Sequence, residues 1–147
     1  ICKQLGLRLI PYSAYSEEER ILLRKRSNDA FFSPAIRDTP STVFYNDSIE
    51  SQGRIRYSIF HEVKHYVNND SDDNIYNDNM ADYFAKYFMA PIPYLIKKGV
   101  NDYLTIILDY DMSFQAAYYT LKNVHNRRKT YGDKIFDYEK PLIDLLC

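Results

Sequence analysis

The spacing of apolar residues changes along the chain. In residues 5–12, LGLRLIPY, apolar and polar positions alternate closely enough to predict a first strand. SEEERILLRKR follows. Ser16 with Glu19 three residues on has the spacing of a capping box and predicts a helix starting at Ser16. Arg24, Lys25 and Arg26 place cations where a helix C-terminus favours them, so they read as a solvated helix end rather than a nucleic-acid patch. Residues 29–47 predict a short strand, a proline-containing turn and a further strand, STVFYND. The sheet expected is therefore of about three strands.

From residue 48 onward the rhythm becomes helical. In SIESQGRIRYSIFHEVKHYV, residues Ile55, Ile59, Phe60, Val63 and Val67 fall on one broad apolar stripe. His61, Glu62 and His65 fall on the other side. NNDSDDNIYND is polar and predicts a loop. A helix over about 75–89 follows, with Ala81, Phe84, Ala85 and Phe88 as its apolar face. APIP ends it, because proline disfavours helix in the residue before it. PYLIKKG predicts a short helix with Pro93 near its start and Gly99 as its C-cap. NDYLTIILDY and SFQAAYYTLKNVHN predict two more, capped by Asn101 and Ser113. YEKPLIDLLC predicts a last apolar turn or helix. The class expected is α+β: a small antiparallel or mixed sheet packed on the histidine-bearing helix, then a mostly helical C-terminal half. No boundary is visible, so residues 1–147 are expected to form one domain.

Composition narrows the choice of function. A hydrophobic share of 46% is enough for a core, and a net charge of -1 gives no electrostatic reason to expect nucleic-acid or anionic-membrane binding. The 15 Tyr and 8 Phe read as core edges. Cys2 and Cys147, at opposite ends, make neither a disulfide framework nor a Cys-x-x-Cys zinc pattern, and read as reduced thiols of a cytoplasmic protein. No apolar run reaches the roughly 18 residues of a membrane span, and no signal peptide is visible.

The candidate chemistry lies in His61-Glu62-Val63-Lys64-His65. Residues four apart on a helix differ by about 40° in rotation, so both imidazoles can reach one metal ion. Glu62 stands about 100° from His61, close enough to hold a water at that metal without being a ligand. Zinc lowers the pKa of such a water toward about 7. Glu62 would take its proton as it attacks a peptide carbonyl and pass it to the leaving amine. The plainer alternative is two solvent-facing histidines on an ordinary helix. With only 3 His in 147 residues, random order produces the pattern about two times in a thousand, which favours the metal site.

A catalytic zinc needs a third protein ligand, and no Glu follows Glu62 until Glu139. The nearby carboxylates are Asp70, Asp72, Asp73, Asp78 and Asp82. The first three lie in the polar loop and serve to solvate it. Asp78 and Asp82 are four apart on one face of the next helix, opposite its apolar stripe. One could bind zinc while the other accepts a hydrogen bond from the free ring N–H of a ligand histidine.

These stretches carry a resemblance. RIRYSIFHEVKHYV followed by DNMADYFAKYFMAP resembles the ImmA/IrrE family of zinc metallopeptidases, over about residues 5–126. Arg54 and Arg56 match an Arg-rich lead-in, and Phe60-His61-Glu62-x-x-His65 matches the active-site helix. Ala81-Asp82-x-Phe84-Ala85 and Met89-x-Pro91 match the second helix. The resemblance implies a minimal zincin-like peptidase fold, with Zn2+ on His61, His65 and Asp78 and with Glu62 as general base. That leaves Asp82 as the histidine's hydrogen-bond acceptor. Asp78 stands where the family more usually has Glu. Its side chain is one methylene shorter, so the helix must approach closer or the ligand geometry must change. Met-Ala-Pro in place of Met-Pro is a second departure. DMSFQAAYYTLKNV resembles a later family helix and gives residues 100–128 a helix-turn-helix outline. DNA binding is not expected from it, and Arg127, Arg128 and Lys129 read as another solvated helix end.

The function implied is a cytoplasmic endopeptidase that cleaves or inactivates a helix-turn-helix repressor. The alternative is a non-catalytic, zinc-containing module that sequesters a regulator. A transition-state donor could be His125, Tyr83, Tyr66 or Tyr131. A substrate strand would add to the edge of the small sheet.

Overall fold

A computed structural model describes residues 2–69 and 74–146. Asp70, Asp72, Asp73 and Cys147 lie outside the described residues. Contacts gather the chain into two compact units, Ile1–Ala85 and Lys86–Cys147, where the sequence pattern shows no boundary.

In the first unit, strands β1 (Arg8–Pro11), β2 (Ala30–Ser33) and β3 (Thr42–Tyr45) form one sheet in the order β1-β3-β2. β1 runs parallel to β3 and β2 antiparallel to it, so the sheet is mixed, as expected. The central strand is TVFY, β-branched and aromatic, and its Val43 is fully buried. Helix α1 (Glu17–Arg26) begins in the capping box read from the sequence: Ser16 N–H donates to Glu19 Oε2 at 2.9 Å, and Glu19 N–H donates to Ser16 Oγ at 3.4 Å.

Helix α2 (Gln52–Asn68) is capped by Ser51, which accepts from the Arg54 N–H at 3.1 Å, and closes on Asn69 in the left-handed region. α2 packs on β2 and β3. Val63 from α2 joins Leu7, Ala30 and Val43 in the core, with Phe32, Tyr45, Ile59, Tyr66 and Phe84 around them. Arg54 clamps the start of α2 to the loop before β2, donating to Asp29 Oδ1 at 2.8 Å and Oδ2 at 3.0 Å.

The apolar stripe read along α2 needs one correction. Val67 is 53% exposed, while Lys64, a polar residue in the pattern, is 4% exposed. Val67 lies in the last turn of the helix. The lysine stem buries along α2, and its ammonium reaches the Asn77 carbonyl at 3.4 Å. Helix α3 (Ile75–Met89) has the expected bounds, and of its apolar face Ala81 and Ala85 are fully buried.

The second unit holds α4 (Ile92–Lys97), α5 (Tyr103–Tyr110), α6 (Phe114–Tyr131) and α7 (Lys140–Leu146). They surround Leu95, Ile96, Val100, Ile106, Met112, Ala117 and Val124. Gly99, at φ 70°, follows α4 as expected. Ser113 caps α6 through the Ala116 N–H at 3.2 Å. α5 and α6 pack together across the three-residue turn at 111–113.

Two polar assignments change in this unit. Asp102, not Asn101, caps α5, accepting from the Thr105 N–H at 2.8 Å; Asn101 instead accepts from Arg128. The second correction concerns the basic end of α6, of which only Lys129 is exposed. Arg128 donates to the Val100 carbonyl at 3.0 Å and to Asp133 at 2.8 Å. Arg127 is half-buried and pairs with the buried Glu139 through two bonds of 2.7 Å.

Candidate metal centre

Helix α2 presents Tyr57, His61 and His65 at successive intervals of four, so the three side chains stack along one face. The ring centroids lie 6.5 Å apart for Tyr57–His61 and 5.0 Å apart for His61–His65. Opposite them α3 presents Asp78 in its first turn and Asp82 one turn later. A carboxylate in a first turn is favoured by the helix dipole. The turn itself is fixed by Asn74, whose side chain accepts from the Asn77 N–H at 2.9 Å, and by Lys64 on the Asn77 carbonyl.

His61 Nε2 and His65 Nε2 face each other at 3.2 Å. Asp78 Oδ1 stands 3.7 Å from His65 Nε2 and 4.0 Å from His61 Nε2. One ligand atom from each of the three residues lies within 4.8 Å of the others. Two nitrogens at about 2.05 Å from a tetrahedral zinc would be about 3.3 Å apart, so the imidazole pair fits. The carboxylate stands a few tenths of an ångström further out than that geometry asks. The Asp78 side chain is 58% exposed and can turn to close the gap.

Asp82 accepts from the other side of the His61 ring, with Nδ1 to Oδ1 at 3.0 Å. The tautomer that donates from Nδ1 leaves the Nε2 lone pair directed at His65 and Asp78, the form a metal requires. Asp82 Oδ1 also accepts from Tyr57 Oη at 2.5 Å. Burial, then the hydrogen bond and charge of Asp82, hold the Tyr57 phenol protonated well above the usual tyrosine range.

Glu62 departs from the expectation that it lies with the histidines opposite the apolar stripe: it points to the sheet side of α2, where its Oε2 accepts from the Phe32 N–H at 2.9 Å. Phe32 belongs to β2, an edge strand. Its amide therefore holds the carboxylate of Glu62 in a fixed place.

The structure thus brings His61, His65, Asp78 and Asp82 together, with Glu62 on the same helix as the histidines. Tyr66 donates to the Leu5 carbonyl at 2.9 Å and packs edge-on to Phe32. Tyr83 is an exposed residue of α3. His125 and Tyr131 are exposed on α6 in the second unit, the latter edge-on to Phe136. The sequence reading missed Tyr57, although it precedes His61 by the interval that separates His61 from His65. It also missed Lys64, for which no pattern gave a signal.

No protein-family model matches the chain, and neither a curated protein nor a solved structure matches it. Among the described residues no helix is long and apolar enough to cross a membrane.

Proposed function

We propose that this chain is a zinc-dependent endopeptidase of the ImmA/IrrE kind, with a minimal zincin-like fold. The observation that carries the reading is the convergence of His61 Nε2, His65 Nε2 and an Asp78 oxygen within 4.8 Å of one another. His61, His65 and Asp78 would hold the ion, and three protein ligands leave a position open for substrate. When bound, zinc supplies a Lewis acid for a peptide carbonyl and acidifies water. Asp82 orients His61. Glu62, held by the Phe32 amide, takes the proton of the attacking water and delivers it to the leaving amine. The substrate class suggested by the resemblance is a helix-turn-helix repressor met in the cytoplasm, with no membrane or direct nucleic-acid partner.

Metal content tests the reading. Purified protein supplied with zinc and then desalted is expected to keep about one zinc per chain, and Asp78→Ala is expected to lose most of it. One zinc in both proteins would transfer the ligand role to Asp82 or a loop aspartate. No zinc in either would end the peptidase reading.

A further inference from the structure

Asp78 and Asp82 are chemically equivalent groups one turn apart on α3, yet only one of them is wanted at the metal. What distinguishes them here is how their oxygens are occupied. Asp82 Oδ1 accepts two hydrogen bonds, from His61 Nδ1 at 3.0 Å and from Tyr57 Oη at 2.5 Å. Both donors come from α2, one turn apart. With both lone pairs of that oxygen engaged, Asp82 is tied behind the His61 ring, on the side away from Nε2. Asp78 instead faces the two Nε2 atoms. The side chain of Asp82 is 42% exposed, so packing alone does not fix its rotamer.

We infer that Tyr57 is a positioning residue that fixes Asp82 as the hydrogen-bond acceptor of His61 and so leaves Asp78 as the carboxylate that binds the metal. Tyr57 does not touch the metal or the reacting atoms. It acts through Asp82 and His61, and the inference rests on the zinc reading above. Removing its hydroxyl leaves the ring and its packing in place but frees one lone pair of Asp82 Oδ1. The carboxylate then gains rotational freedom, and the His61 ring loses part of its orientation. Partners of this kind contribute about 10- to 100-fold to metal affinity.

The test is a double-mutant cycle read as zinc affinity by chelator competition, with Tyr57→Phe, Asp82→Ala and the double variant beside the wild type. Tyr57→Phe is expected to weaken zinc binding about tenfold. In the Asp82→Ala background the same substitution is expected to change affinity by no more than about twofold, because the group it acts through is gone. A wild type that binds zinc beside an unaffected Tyr57→Phe would overturn the inference and leave the zinc reading standing. An equal loss in both backgrounds would also overturn it, because a general structural effect does not depend on Asp82. A wild type that binds no zinc would overturn both.

Discussion

Glu62→Gln is expected to abolish peptide hydrolysis while leaving the zinc content and the fold as they are. The substitution separates the two things that Glu62 does. As an acceptor, its Oε2 takes the Phe32 N–H at 2.9 Å and ties α2 to the edge strand β2. A glutamine carbonyl oxygen can accept that same bond, so the tie survives. As a base, the carboxylate takes a proton from water, which an amide cannot do at neutral pH. Loss of general-base catalysis removes about 10²- to 10⁴-fold of rate. Glu62 is not among the converging ligand atoms, so zinc retention is the internal control. The measurement is hydrolysis of a proteome-derived peptide library read by mass spectrometry, with zinc content and circular dichroism determined on the same samples. Cleavage at the wild-type rate would rule out Glu62 as the base. Loss of zinc would mean that Glu62 takes part in holding the metal. A biological effect that persists without hydrolysis would favour the sequestering module over the peptidase.

Local signals in the sequence were enough to locate the helices and most of the candidate metal cluster. Ser16 with Glu19, Ser113, the proline after Met89 and Gly99 each act within one turn of their own backbone, and each ends or begins an element where the pattern said it would. The candidate metal-binding face was legible for the same reason, because His61 and His65 on one helix, and Asp78 and Asp82 on the next, are set by helical spacing alone. Periodicity could not show which polar side chains would be buried. Lys64 and Val67 differ by less than one turn, and the lysine is the buried one because the Asn77 carbonyl lies within its reach. Spacing alone narrowed the third ligand only to a set of aspartates, and it was the resemblance that implied Asp78; in the structure Asp78 faces the two Nε2 atoms while Tyr57 and His61 hold Asp82. Nor does the sequence signal that Phe32 lends its amide to Glu62, because every non-proline residue has an N–H, and only the sheet order turns this one outward.

The basic end of α6 shows the same limit with a larger energetic consequence. Arg127, Arg128 and Lys129 read as solvated, yet Glu139 is 3% exposed and takes both terminal nitrogens of Arg127 at 2.7 Å. Glu139 Oε2 also accepts from the Phe136 N–H at 2.9 Å, Arg127 donates to the Lys134 carbonyl at 3.1 Å, and its guanidinium lies 5.1 Å from the Phe136 ring centroid. The Glu139 hydrogen bond raises the pKa of Arg127 further, so its charge is permanent. Glu139→Ala leaves that half-buried charge without its counter-ion and the Phe136 amide without its acceptor. The expected cost is about 3–5 kcal/mol, well above an ordinary surface substitution. Replacing both partners, as Arg127→Met with Glu139→Leu, removes the uncompensated charge and is expected to restore much of the loss. Urea unfolding followed by circular dichroism measures the overall cost, and amide hydrogen exchange in α6 and α7 shows whether the loss falls on the second unit. A Glu139→Ala protein within about 0.5 kcal/mol of wild type would show that the pair contributes no more than an exposed one. A double variant as unstable as the single would assign the cost to lost packing around Phe136 rather than to the stranded guanidinium.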